Sequence, residues 1–132
     1  MDVRIKRVYE PAEAGDGFRV LVDRLWPRGV SKERAALDLW DRDVAPSAEL
    51  RKAWHAEPDA HDPEHFAAFA DDYRAELAQG AAAEALDRLA GLAREHSPLT
   101  LLYGARDPEA NHAVVLRDAL LEHLGKRLPA AG

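Results

Sequence analysis

Two short stretches hold the side chains best suited to chemistry. The first is DRLWPRG at 23–29, where Asp23, Arg24, Trp26 and Arg28 follow directly on the apolar run Val20, Leu21 and Val22. Guanidinium groups are costly to bury without partners, and their planar fork matches a phosphate or carboxylate. This combination suits a pocket that grips an anion. The second stretch supplies Tyr103, Arg106, Asp107, Asn111 and His112 after another apolar run, LTLLY at 99–103. His112 is the candidate for proton transfer, because an imidazole ordinarily titrates near neutrality. Each of these residues also has a structural reading. Arg24 and Arg28 can pair with Asp23, Asp38 or Asp107, Trp26 can anchor packing, and Asn111 can cap a helix, as Ser31 and Ser47 can.

The elements that must position these groups follow from apolar spacing. Val3, Ile5 and Val8 mark a half-exposed strand over 2–9, and a second, more apolar strand is expected over 19–25. The connection between them, 10–17, is too short for a helical crossover, so the two strands are either an antiparallel pair or not neighbours. Trp26-Pro27 ends regular pairing. A short turn at 32–37 follows, and Leu39 and Trp40 suit a short strand or an irregular crossing within 37–44. Helices are expected from Ser47 to about His55, over 63–78 on Phe66, Phe69, Tyr73 and Leu77, over 81–96 on Leu86, Leu89 and Leu92, and over 111–124 on Leu116, Leu120 and Leu124. Gly80 interrupts the second and third. The strand at 99–103 is apolar throughout, which suits the middle of a sheet.

Composition sets further bounds. The chain has 132 residues, 47% hydrophobic and 32% charged, with a net charge of −6 and no cysteine. One domain with a sizeable core is expected. The acidity argues against a surface built for nucleic acid. The missing thiols exclude disulfides, thiolate metal sites and cysteine nucleophiles. No stretch has the length or apolarity of a signal peptide or membrane span, so the cytoplasm is the expected location. Against the overall acidity, residues 18–34 hold five basic side chains (Arg19, Arg24, Arg28, Lys32, Arg34) and two acidic ones, a local reversal of sign. His55, His61 and His65 lie among acidic residues, but Pro58 and Pro63 break the segment, and no metal site is expected there. No Walker loop or dinucleotide fingerprint is present, and no cofactor is expected.

Several segments together carry a resemblance: RVYEP, DGFRVLVDRLWPRGVSKE, LDLW, APSAELRKAW and TLLYGARDPEANHAVVL. Over 4–121 the chain resembles the YeaO-like family of bacterial proteins, part of a larger domain-of-unknown-function group. The resemblance implies a compact cytoplasmic α/β domain and transfers no catalytic residue. Some wider relatives have cysteine and histidine near the second loop. Here that stretch reads YGARDPEANHA, so a thiol-based role does not extend to this chain.

The resulting expectation is a single three-layer α/β domain over 1–125, its mostly parallel or mixed sheet flanked by helices, with a flexible tail at 126–132. In an open α/β sheet, ligands sit outside the carboxyl ends of the strands. A pocket between the two loops is therefore expected to take a small molecule bearing phosphate or carboxylate. Arg24, Arg28 and Arg106 would bind the anion, with Asp23 and Asn111 as further polar contacts. Trp26 and Tyr103 would wall the pocket, and His112 would move a proton. The alternatives are a non-catalytic interaction module using the DRLWPRG loop, and a domain acting on nucleic acid through the local basic patch.

Overall fold

The computed structural model describes residues 2–59 and 62–126. Four strands, β1 (Val3–Arg7), β2 (Phe18–Leu21), β3 (Leu39–Trp40) and β4 (Leu99–Tyr103), form one sheet in the order β1-β4-β2-β3. Every pairing is parallel. Of the two arrangements open to the first two strands, the second holds: they are not neighbours, and β4 lies between them. The five helices are α1 (Lys32–Ala35), α2 (Ala48–Ala56), α3 (Pro63–Leu77), α4 (Gly80–Glu95) and α5 (His112–Lys126). Of the expected tail at 126–132, Lys126 closes α5 and the rest lies outside the described residues.

All five residues of β4 are buried, as a central strand of a covered parallel sheet requires. Alternation divides its side chains between two unequal layers. Leu99, Leu101 and Tyr103 join Val20 and Val22 in the main core, where Phe69, Tyr73 and Leu77 of α3, Leu86 and Leu89 of α4, and Leu116, Leu120 and Leu124 of α5 pack on them. The expected helical stripes are therefore the inward faces. On the opposite side, Leu102 and Leu21 meet Val8, Val30 and Ala35, with Trp26, Leu37 and Trp40 packed around them. This thin third layer is built from α1 and the loop after β2, with no long helix.

Regular pairing of β2 ends sooner than 25. The Val22 amide still donates to Leu102 O at 3.0 Å, but Asp23 turns off to bind the neighbouring loop and Leu25 is 63% exposed. Serine caps act as expected: Ser31 accepts from the Arg34 amide and Ser47 from the Leu50 amide. Gly17, before β2, has φ +66°, and a Cβ there would lie 2.1 Å from Pro98 O. Only glycine permits that approach, through which the Phe18 amide reaches Pro98 O at 3.1 Å.

Beneath the thin layer lies a polar network that composition alone did not indicate. Arg19 is buried and pairs with Asp16, while its Nη2 donates to Ala35 O at 2.7 Å and its Nε to Ala36 O at 3.2 Å. It thus satisfies the carbonyls at the end of α1. Lys6 Nζ lies 3.1 Å from Asp16, and Thr100 Oγ1 donates to Asp16 O at 2.6 Å. Burial pushes the Asp16 carboxyl up, but the Glu13 backbone amide together with Lys6 and Arg19 outweighs it and holds the group below the usual carboxylate range.

Two expected outcomes follow from this packing. Phe69 is buried and stacks on Trp54 at 4.3 Å between ring centres, so Phe69→Ala is expected to cost about 3–5 kcal/mol in chemical denaturation. A lowered folded-state pKa means that Asp16 contributes stability above its unfolded value of about 3.9, and that this contribution is lost as pH falls through the folded value. Stability measured from pH 6 down to pH 2 should therefore decline more shallowly in Asp16→Asn than in the parent, and the variant should be the less stable of the two at pH 6.

Candidate functional site

Because β2 and β4 run parallel with Leu21 opposite Leu102, their carboxyl ends release the two loops side by side. One carboxylate ties them together. Asp23 Oδ2 accepts from the Gly104 amide at 2.9 Å, and a Cβ on Gly104 would meet that same oxygen at 2.9 Å. Asp23 Oδ1 is buried beside His112 Nε2, 2.9 Å away, without a hydrogen bond of its own. The Nε2–H aims instead at Val22 O, at 3.0 Å. Both neighbours of Nε2 are acceptors, so this nitrogen carries the hydrogen. The Tyr73 ring lies edge-on to His112 at 6.5 Å between ring centres, and its hydroxyl donates to Val44 O at 2.6 Å. Burial pushes the Tyr73 phenol well up, so it is a fixed donor.

A cavity of about 470 Å³ opens at this edge, bounded by the 23–28 loop, the 104–110 loop, α2 and Phe69 of α3. Six of the eight residues expected at the site or in its loops line it: Asp23, Arg24, Trp26, Arg28, Arg106 and His112. Their duties differ. Arg24 is spent on the chain itself, donating to Pro46 O at 3.0 Å and Ala45 O at 3.1 Å, which fixes the segment entering α2. Trp26 donates to Val30 O at 2.6 Å and sits edge-on to Trp40 at 5.3 Å. It is a packing anchor that also forms wall.

The other two expected residues, Tyr103 and Asn111, are not on the cavity wall. Tyr103 is 3% exposed, pointing with the main core, and burial followed by the charge of Glu10 pushes its phenol above the ordinary value. Asn111 is fully buried; its Oδ1 accepts from the Val114 amide as the cap of α5, and its Nδ2 donates to Asp107 O at 2.8 Å. Asp107 in turn accepts from the Glu109 and Ala110 amides, which closes the loop on itself. Nor does Arg19 belong to a basic patch here, since it lies on the other face of the sheet.

Arg51 and His55, from the exposed side of α2, also line the cavity, as does Trp54 between them. They share one helix face at four-residue spacing, a signal present in the sequence but overshadowed there by Leu50 and Trp54. Arg28, Arg51 and Arg106 thus come from three separate elements to one cavity. Among the described residues, none of the three guanidiniums has a carboxylate or carbonyl partner. The wall holds four arginines, Arg24, Arg28, Arg51 and Arg106, against two carboxylates, Asp23 and Asp107. The cavity is therefore left with unbalanced positive charge. Of the three histidines considered for a metal, His55 is on this wall, His65 Nδ1 lies 2.9 Å from Asp59 O, and His61 lies outside the described residues.

A family model described as the inactive DUF488-N3 subclade matches residues 2–131. The chain belongs to that subclade. It is also 51% identical over 120 residues to the uncharacterized protein YeaO of Escherichia coli (strain K12), covering 91% of this chain and 97% of the relative. It is 42% identical over 118 residues to the uncharacterized proteins Mb3100c of Mycobacterium bovis and Rv3073c of Mycobacterium tuberculosis, covering 89% of this chain and 92% of each relative. The YeaO-like resemblance is thus shown over nearly the whole chain. No solved structure matches. No helix among the described residues is long and apolar enough to cross a membrane.

In this DUF488-N3 domain Asp23 is the link between the loops, and its loss should be felt as stability. Asp23→Ala leaves the Gly104 amide without its acceptor and removes the charge beside His112. A loss of about 1–3 kcal/mol is expected, read from the denaturation midpoint. A shift of a few tenths would mean that the two loops are held by packing alone.

Proposed function

We propose that this domain binds a small anionic molecule, bearing phosphate or carboxylate, in the cavity between the 23–28 and 104–110 loops. The observation that carries the reading is that Arg28, Arg51 and Arg106 line one cavity, none of their guanidiniums having a carboxylate or carbonyl partner among the described residues. Like charges gathered in a concave site repel one another, and an anion that bridges them relieves that repulsion and gains charge-assisted hydrogen bonds. Arg24 and Trp26, pinned to backbone carbonyls, keep the wall in place, and Tyr103 and Asn111 support it from behind.

Binding without turnover is the better supported form. The matched subclade is described as inactive. The Asp23–His112 pair favours a second reading in which His112 Nδ1 exchanges a proton with the ligand as a general acid or base. An interaction module built on the loop is less well supported, because the Trp26 indole is half-buried and its N–H is already used. A nucleic-acid role has against it the net charge of −6.

Thermal melts with and without phosphate, at matched ionic strength, test the proposal. Phosphate at 100 times its dissociation constant should stabilise the parent by about 2.7 kcal/mol. Arg28→Ala, Arg51→Ala and Arg106→Ala should each change intrinsic stability by less than about 1 kcal/mol, since all three side chains are exposed, and should lose most of the phosphate effect. A parent that gains nothing from phosphate beyond the effect of salt, or an arginine variant that collapses without it, would assign these residues to the scaffold.

A further inference from the structure

The arginines account for one end of a ligand; the rest of the cavity describes the other end. At about 470 Å³ it has the size of sites that hold organic molecules, well beyond a bare inorganic ion. Much of its wall is apolar: Leu25, Pro27, Pro46, Trp54, Phe69 and Ala105. Leu25 is the unusual member. At 63% exposure it is the most exposed large hydrophobic side chain of the described residues, yet both its neighbours are pinned. Arg24 is held by Ala45 and Pro46, and Trp26 by Val30. The leucine is therefore held at the rim by a fixed backbone and belongs to neither core cluster. Trp54 and Phe69, stacked at 4.3 Å between ring centres, line the same cavity, as does His55, 5.1 Å from Trp54.

We infer that the ligand is an organic anion with an apolar body, its phosphate or carboxylate held by Arg28, Arg51 and Arg106 and its body covered by Leu25 on the apolar part of the wall. This rests on the anion-binding reading and adds to it a substrate class and a specificity-determining residue. An apolar body removes Leu25, 63% exposed, from water, a gain that inorganic phosphate cannot provide. The charged end fixes orientation, because guanidiniums from three elements restrict where an anionic group can sit.

Titration calorimetry with two probes, phenyl phosphate and inorganic phosphate, tests this on the full chain at matched pH and ionic strength. In the parent, phenyl phosphate should bind at least about tenfold more tightly than inorganic phosphate. Leu25→Ser, at a position that carries no core packing, should weaken phenyl phosphate about five- to tenfold and leave inorganic phosphate unchanged. Leu25→Met should restore most of the difference. Arg106→Ala should weaken both probes. Equal affinity of the two probes in the parent would overturn the apolar-body inference while leaving anion binding intact. A preference for phenyl phosphate that survives in Leu25→Ser would remove Leu25 from the site. Failure of both probes to bind would overturn the anion reading and this inference with it.

Discussion

The rest of this structure depends on the burial of β4 on both faces. A strand of five residues with no exposed side chain must be flanked on each edge and covered above and below, and a parallel neighbour on each side meets the first demand. That placement dictates the path of everything else. The chain must leave β1, pass to the far side of the still-unformed centre, lay down β2 and β3, cross by three helices, and only then insert the central strand. It also brings the ends of β2 and β4 to one edge, which is why two segments eighty residues apart share a carboxylate–amide bond between Asp23 and Gly104.

The two faces of the sheet are covered by different means. On one, helices α3, α4 and α5 present ordinary apolar stripes. On the other, the cover is so thin that it is completed by buried charge: Arg19, paired with Asp16 and donating to the last carbonyls of α1, lies among Leu21, Leu102 and Ala35. A buried ion pair brings little net stability compared with an apolar substitute, but removing one partner from it is strongly unfavourable. Its usefulness here is directional, because guanidinium geometry fixes the short helix in a way that non-directional apolar contact cannot.

The strength of the sequence signal followed the range of the interaction. Elements whose identity depends on local spacing or on a nearby cap were legible, among them the Phe69–Tyr73–Leu77 stripe, the apolar run at 99–103 and the Ser31 and Ser47 caps. The parallel sheet was bounded by a length argument, since ten residues between β1 and β2 leave no room for a helix, but the insertion of β4 between them is a long-range fact. At the site, the two loops were legible because both follow apolar runs. What each arginine does was not, because Arg19, Arg24 and Arg28 look alike in a string while facing respectively the back layer, the entry to α2 and the cavity. Tyr103 and Asn111 were misplaced for a similar reason: a side chain one residue from a loop is carried inward by strand alternation or helix capping. Arg51 went unnoticed because α2 was read for its inward face alone.

The segment after β2 forms the lid of the thin layer through Trp26 and Val30 and, on its other surface, a wall of the cavity through Leu25 and Arg28. In most α/β domains these tasks belong to different pieces of chain, so a binding loop can lengthen or change while the layer beneath it is untouched. Here they cannot drift apart. An insertion within 23–29 that reshaped the cavity would uncover Leu21 and Leu102, and one that improved the cover would move the cavity wall. The outer surfaces of α3 and α4, rich in alanine, carry neither duty, whereas the cavity wall can be altered without disturbing the layer only through single side chains such as Leu25 or Arg51, with the backbone held constant.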